Sequence, residues 1–238
     1  MLLELLIGAF IGIPGVIGIA TWRLLRHRLE DDFHRLRARA AKDLKFRQLD
    51  DRDAALRGPL DELHVRTDQL GTLGFVALGD LVDDDQAVPT RWFVDAERTT
   101  FAMFGIANHR LGGMMVSYDP ERAFITAVPR TPKLAAPSSI VRSDVVQTTS
   151  FADMFAKHRQ VVDRATSILR VDDIDQAVGA VLTIRARSRA WRDAQPEAAL
   201  LDADVQSYLG RDYQHRGPWL KRRLARAIPT AKVVSGLR

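Results

Sequence analysis

The chain opens with its longest apolar run. No charged residue occurs between Leu5 and Trp22, a stretch of 18 positions, and leucines lengthen the run on both sides. A helix of about 20 apolar residues is long enough to cross the ~30 Å hydrocarbon core of a bilayer. The run also lacks the basic start of a secretory signal peptide. The pattern therefore predicts a transmembrane anchor over residues 1–25, with a cleaved signal peptide or a buried core helix as the alternatives.

The charges behind this run predict its orientation. Nine Lys or Arg residues lie between Arg23 and Arg47, and none precedes the run. Positive charge is retained on the cytoplasmic side of a membrane. The sequence therefore predicts a single-pass protein of the inner membrane, with its N-terminus outside and the bulk of the chain in the cytoplasm. The residues expected at the membrane surface here are Trp22, Arg23, Arg26 and Arg28.

Small residues recur within the predicted anchor. Gly8 and Gly12 form a G-x-x-x-G pair, and Gly15 lies near the same helix face. Small residues allow two membrane helices to approach closely. These glycines predict helix–helix packing with an integral membrane protein or with a second copy of the chain.

A basic segment with a helical period follows. Apolar residues recur at three and four positions from Leu25 to Leu44, and no Gly or Pro occurs until Gly58 and Pro59. This spacing predicts an amphipathic helical stalk over residues 26–58. Its apolar stripe would be covered by the body of the chain, by a second copy or by the membrane. Its basic face would attract anionic lipid, at about 1 kcal/mol per charge near the surface.

Residues 59–210 predict an α+β domain. A short helix follows Pro59, and then five short runs rich in Val, Ile, Phe and Thr alternate with turn signals such as Asp119-Pro120. Such runs with tight links indicate an antiparallel meander. Helices follow, with Thr149 or Ser150 and then Asp172 or Asp173 as candidate N-caps. The predicted fold class is α+β: an N-terminal transmembrane helix and long stalk, then a five-strand antiparallel meander packed by C-terminal helices.

The C-terminal segment, residues 211–238, is again basic and amphipathic. Leu220, Leu224, Ala227 and Ile228 share one helix face. A short basic helix with a Trp is typical of an element that lies on anionic lipid. Docking on the body of the chain is the alternative. The predicted lipid contacts in this segment are Trp219, Lys221, Arg222, Arg223 and Arg226.

The sequence contains no recognisable catalytic or cofactor motif. There is no Cys, and no P-loop, G-x-S-x-G, H-E-x-x-H or G-x-G-x-x-G pattern. We therefore expect no cofactor, no metal and no enzymatic activity. His158 lies on the apolar stripe of its helix, which favours a buried structural histidine over a pocket ligand. A pocket near Trp92, His109 and His158 is the other possibility.

Charge and architecture together suggest a function class. The 35 Lys and Arg residues exceed the 30 acidic ones, but they concentrate beside the anchor and at the tail, and no aromatic RNA-binding signature occurs. We therefore expect anionic membrane lipid rather than nucleic acid as a partner. The leading hypothesis is a membrane-anchored accessory protein, a subunit or partner of an integral membrane complex. The alternative is a membrane-tethered sensor domain that binds a small molecule or a lipid.

Overall fold

The computed structural model describes residues 29–227, apart from residues 85–86, 108, 129–133, 147–148, 164, 166 and 211–212. The described chain forms two compact units. The helical unit contains helix α1 (residues 29–41), residues 134–135 and the helices after Pro196. The sheet unit contains residues 43–128 and 136–195 as far as they are described.

The helical unit consists of α1, α6 (Glu197–Leu209) and α7 (Tyr213–Ala227) around a small apolar core. Phe33 of α1 is fully buried, and its ring meets that of Tyr208 edge-on at 5.4 Å. The buried Asp204 of α6 accepts a hydrogen bond from the backbone N–H of Ala135 (3.0 Å) and lies 3.3 Å from Arg37 Nε. The other core side chains are Leu201, Val205, Leu220 and Leu224.

The sheet unit is built on seven strands whose spatial order equals their chain order. All neighbouring strands pair antiparallel except the last two, which are parallel. The strands are β1 (Phe46–Gln48), β2 (Val76–Asp83), β3 (Val88–Val94), β4 (Phe101–Ala107), β5 (Arg110–Tyr118), β6 (Ala123–Val128) and β7 (Ile140–Asp144).

Helices cover both faces of this sheet. One face packs against α2 (Arg57–Thr67), α3 (Gln69–Thr72) and α4 (Phe151–Val162), with Phe93, Phe104 and Met115 in its core. The other face packs against α5 (Ile174–Asp193), with Trp92 and Phe101 in its core. Strand side chains alternate between the two faces, so nearly continuous apolar strands such as β4 are buried on both sides. A 3-10 helix (Asp51–Leu56) connects β1 to α2.

The predicted five-strand antiparallel meander is wrong, because the sheet has seven strands and is mixed. The five predicted runs correspond to β2–β6. The two further strands lie at the edges: β1 falls inside the segment predicted as a helical stalk, and β7 follows a proline-containing loop. Both are short, and neither shows the alternation that reveals a half-buried strand. The stalk helix ends at residue 41, well before Gly58.

The predictions of a transmembrane helix, a single-pass chain and an inner-membrane location are also wrong for this structure. Within the described ranges, no helix combines the length and the apolar character needed to cross a membrane. The anchor predicted over residues 1–25 lies outside the described residues, as do Gly8, Gly12, Gly15, Trp22, Arg23, Arg26 and Arg28.

Candidate functional site

The three residues predicted to share a pocket are not brought together. Trp92 is fully buried on the α5 face of the sheet, where its ring stacks with Phe101 at 6.3 Å. His158 is fully buried on the opposite face, under α4. His109 lies in the β4–β5 turn with 90% of its side chain exposed, 3.1 Å from Glu62. These positions line no common cavity.

His158 belongs to a buried chain of hydroxyl groups. Its Nε2 lies 3.1 Å from Ser117 Oγ and its Nδ1 lies 3.0 Å from Thr126 Oγ1, while Thr100 Oγ1 lies 3.0 Å from Ser117 Oγ. All four side chains are buried. Burial lowers the pKa of His158 to about 4, since a charged ring is costly away from water. The neutral ring is satisfied at both nitrogens, so this network stabilises the core and is closed to a ligand.

The predicted lipid-contacting helix packs its apolar face within the helical unit. Leu220 and Leu224 are buried, and Trp219 lies at the rim of the same core. Lys221 forms an ion pair with Asp202 at 2.5 Å, and the side chain of Arg222 is exposed. The side chains of Arg223 and Arg226 lie outside the described part of the chain.

The most distinctive surface of the sheet unit is an unpaired strand edge. β1 pairs only with the segment Leu81–Asp83 of β2. The preceding part of β2, Val76–Asp80, has no neighbouring strand on that side among the described residues. At about 3.4 Å per residue this edge is roughly 17 Å long. Val76 is 62% exposed, which is high for a valine in a strand. We call the segment Val76–Asp80 the open β2 edge.

The local sequence explains why β1 stops early. Asp50 is the N-cap of the 3-10 helix and accepts a hydrogen bond from the N–H of Arg52, while the carboxylate of Asp53 accepts the N–H of Asp50. This capping box turns the chain away from the sheet. The guanidinium of Arg47 in β1 donates hydrogen bonds to both carboxylate oxygens of Asp53, at 2.6 and 2.7 Å, and to the carboxylate of Asp84 at 2.9 Å. The pairing with Arg47 lowers the pKa of Asp53 to about 2.

A bulge shapes the open β2 edge. The register with β3 shifts between Ala77 and Gly79. Gly79 has φ +150°, a conformation that L side chains rarely adopt, and a Cβ there would lie 3.2 Å from Ile174 Cδ1. Glycine is thus required both by the backbone and by the approach of α5.

An open pocket of about 320 Å³ lies beside the bulge. Its lining is apolar at one end, where Leu78, Leu81 and Ile174 meet. Gln48, the last residue of β1, is exposed and also lines the pocket. The full lining is Gln48, Leu49, Leu78, Gly79, Asp80, Leu81 and Ile174. The pocket is therefore continuous with the unpaired edge.

The rim of this pocket, meaning the exposed residues next to its lining residues along the chain, is acidic although the whole chain carries a net charge of +5. Asp51 follows Leu49 by two positions, and Asp175 follows Ile174 directly. Both are exposed and have no ion-pair partner within the described part of the chain. Arg47 and Arg52, which precede and follow Leu49, and Arg91, which pairs with Asp80 across the sheet, each already lie beside a carboxylate. The local electrostatic field thus favours a cationic ligand.

On the other face of β2, Asp80 ties α2 to the sheet. His64 Nε2 lies 2.9 Å from Asp80 Oδ2, and Arg91 Nε lies 4.0 Å from Asp80 Oδ1. The latter two atoms are buried and have no hydrogen-bond partner among the described groups. The separation is too long for a hydrogen bond, so the two groups interact as an ion pair. Asp80 lines the pocket, and its carboxylate contacts His64 and Arg91.

The opposite edge of the sheet is protected. On β7, Arg142 Nε donates a hydrogen bond to Asp144 Oδ1 at 2.9 Å, and the ammonium group of Lys157 donates to the backbone carbonyl of Asp144 at 2.8 Å. Charged side chains along an edge strand oppose pairing with another chain. The open β2 edge lacks such protection over Val76, Ala77 and Leu78.

Among the described residues, no group of three or more His, Cys, Asp or Glu side chains is placed to hold a metal ion. The sequence analysis missed the open β2 edge, because its existence depends on where β1 stops. The capping-box pattern Asp50–Asp53 was the one local signal that could have indicated it.

Comparison with known proteins provides no assignment. No protein-family model matches the chain, and no curated protein or solved structure was found to be similar to it. The function is therefore argued from the residues and geometry described above.

Proposed function

We propose that this chain is a non-catalytic accessory protein that binds other proteins by adding one of their strands to the open β2 edge. The observation that carries the proposal is the segment Val76–Asp80, which has no neighbouring strand on one side among the described residues and lies beside a pocket that is apolar at one end. In strand addition, backbone hydrogen bonds supply affinity and pockets for alternate side chains supply specificity. Both components are available at this edge.

The distribution of exposed apolar side chains supports the same proposal. Six large aliphatic side chains are exposed among the described residues, and three of them lie on or beside the two edge regions of the sheet. Val76 lies on the open β2 edge, whereas Val141 and Val146 lie on and just after the protected strand β7. The β2 edge is favoured over β7 because Val76, Ala77 and Leu78 carry no charge, whereas Arg142 and Asp144 form an ion pair on β7.

Site-specific photo-crosslinking in the native cells tests this function. A benzophenone amino acid replaces Ala77 on the edge or, as a matched control, Gln160 on the exposed side of α4. We expect a discrete adduct from position 77, whether to a second copy or to another protein, and none from position 160. Val76→Lys should remove the adduct, since an edge lysine opposes strand pairing. Monomer alone at both positions, or equal adducts at both, would overturn the proposal.

The alternative function, a ligand-binding sensor, gains no support from the positions of Trp92, His109 and His158, which lie apart. Contact with anionic lipid and the absence of nucleic-acid binding stay predictions of the sequence.

A further inference from the structure

We infer that the open β2 edge selects an extended basic segment of a partner protein, with an apolar side chain placed in the pocket between Leu78 and Ile174. This inference rests on the proposed function and specifies the chemistry of the partner. It combines three features of one surface: a strand edge with no neighbour among the described strands, a pocket beside it that is apolar at one end, and exposed carboxylates next to the pocket lining along the chain.

The backbone component requires an extended ligand. β1 pairs with Leu81–Asp83 of β2, and the chain leaves the sheet after Gln48. A ligand strand would pair with β2 over Val76–Asp80, in line with β1, where β2 has no neighbour on that side among the described strands. A segment of about five residues would cover this length. Helical ligands cannot use such an edge, since their backbone groups are already paired within the helix.

The pocket adds a side-chain requirement. Successive side chains of a strand point to opposite faces of the sheet. A ligand residue on the α5 face would meet the apolar end of the pocket, at Leu78, Leu81 and Ile174. The pocket volume of about 320 Å³ accommodates one aliphatic or aromatic side chain. The ligand residues on either side of this apolar residue would point to the opposite face of the sheet, so apolar residues are expected at every second ligand position at most.

The charge requirement follows from the rim. Asp51 lies two positions after Leu49 and Asp175 directly after Ile174, and both are exposed with no ion-pair partner within the described chain. Asp173, the N-cap of α5, is also exposed, and its carboxylate accepts hydrogen bonds from Gln176. Opposite charges around an interface accelerate association and suppress wrong partners. Lys or Arg residues flanking the apolar anchor would match this rim.

A displayed library of random 12-residue peptides, selected on the full-length protein, tests the inference. We expect enriched peptides with Lys or Arg flanking an apolar residue. The affinity of a selected synthetic peptide should fall more than tenfold when alternate residues on one phase of its backbone are N-methylated, and little on the other phase. That phase dependence reports main-chain pairing, which a merely charged contact would not produce.

Exposed Gln48 offers a charge-swap pair at the pocket. Gln48→Lys should weaken binding of the selected peptide about tenfold, and Gln48→Glu should strengthen it severalfold, both effects shrinking at high salt. The same two changes at exposed Gln160 on α4 serve as the matched control and should leave binding unchanged.

The outcomes separate this inference from the proposed function. Selected peptides that lack basic residues but whose affinity depends on the phase of N-methylation would reject the basic partner and leave the proposed strand addition intact. Equal affinities of the peptide for the two Gln48 variants would have the same meaning. Selected peptides whose affinity does not depend on the phase of N-methylation, or a library that yields no enriched peptide, would reject both the basic partner and strand addition.

Discussion

The buried histidine provides a quantitative test of how the sheet unit is stabilised. His158 is fully buried between α4 and the sheet, and burial lowers its pKa to about 4 from the ordinary 6.5. The folded state thus holds the neutral ring, whereas the unfolded state takes up a proton below about pH 6.5. The stabilisation is fully present above about pH 6.5 and is lost as the pH falls toward the folded pKa of about 4.

The magnitude follows from the two pKa values. Relative to about pH 8, protonation of the unfolded chain at this one site costs about 2 kcal/mol of folding free energy at about pH 5 and about 3 kcal/mol at about pH 4. A domain of this size has a total stability of only about 5–15 kcal/mol, so the effect is measurable.

The perturbation is His158→Gln, which keeps one donor and one acceptor for Ser117 and Thr126 but removes the titration. At neutral pH the variant should be less stable by about 1–2 kcal/mol, because the smaller side chain fills the site less well. Between about pH 8 and 5, however, it should lose about 2 kcal/mol less than the wild type. The two stability curves should converge as the pH falls.

Urea unfolding at a series of pH values, followed by circular dichroism, measures these curves. Amide hydrogen exchange in β5 and β6 adds a reading that is specific to the sheet unit. His109→Gln, at an exposed turn position, is the control for removing a histidine that lies outside the core. Parallel curves for the His158 variant and the wild type would refute the reasoning, because they would mean that the buried ring contributes nothing to the pH dependence.

Three further predictions concern the packing and the ion pairs. Gly113→Ala should destabilise the sheet unit by about 1–3 kcal/mol in urea unfolding, because a Cβ there would clash with the carbonyl oxygen of Met103. The same change at Gly179 of α5, where a Cβ would have nothing within 4 Å, should stabilise the sheet unit by about 0.5–1 kcal/mol. Equal effects of the two changes would contradict this account. Asp204→Ala should cost about 2 kcal/mol and raise hydrogen exchange in α6 and α7, since it removes the buried carboxylate that binds the N–H of Ala135 and the guanidinium of Arg37. Unchanged exchange would argue against this prediction. Asp53→Asn should lower the melting temperature near neutral pH, because the ion pair with Arg47 stabilises the fold only while the Asp53 carboxylate is ionised. The difference from the wild type should therefore vanish as the pH falls from about 4 toward 2. A difference that persists at about pH 2 would contradict the ion-pair explanation.

The interior of the sheet and the helix starts were determined locally and could be predicted from the sequence. β2–β6 follow from short apolar runs between turn signals, and Ser150 and Asp173 cap α4 and α5 at positions that the sequence had indicated. His158 is buried as its place on an apolar stripe implied. Each of these features depends on residues within a few positions of one another, so the chain itself carries the signal.

The edges of the sheet, and with them the candidate site, were decided only by the tertiary structure. β1 is a strand of three residues in a charged segment, and β7 pairs in parallel with β6 only after an intervening excursion of the chain. Neither leaves a periodic pattern, because their pairing depends on contacts between distant segments. The open β2 edge exists since β1 stops at Gln48, and the pocket exists since Ile174, about a hundred residues later in the chain, approaches Gly79. A surface assembled from residues so far apart has no signature along the sequence.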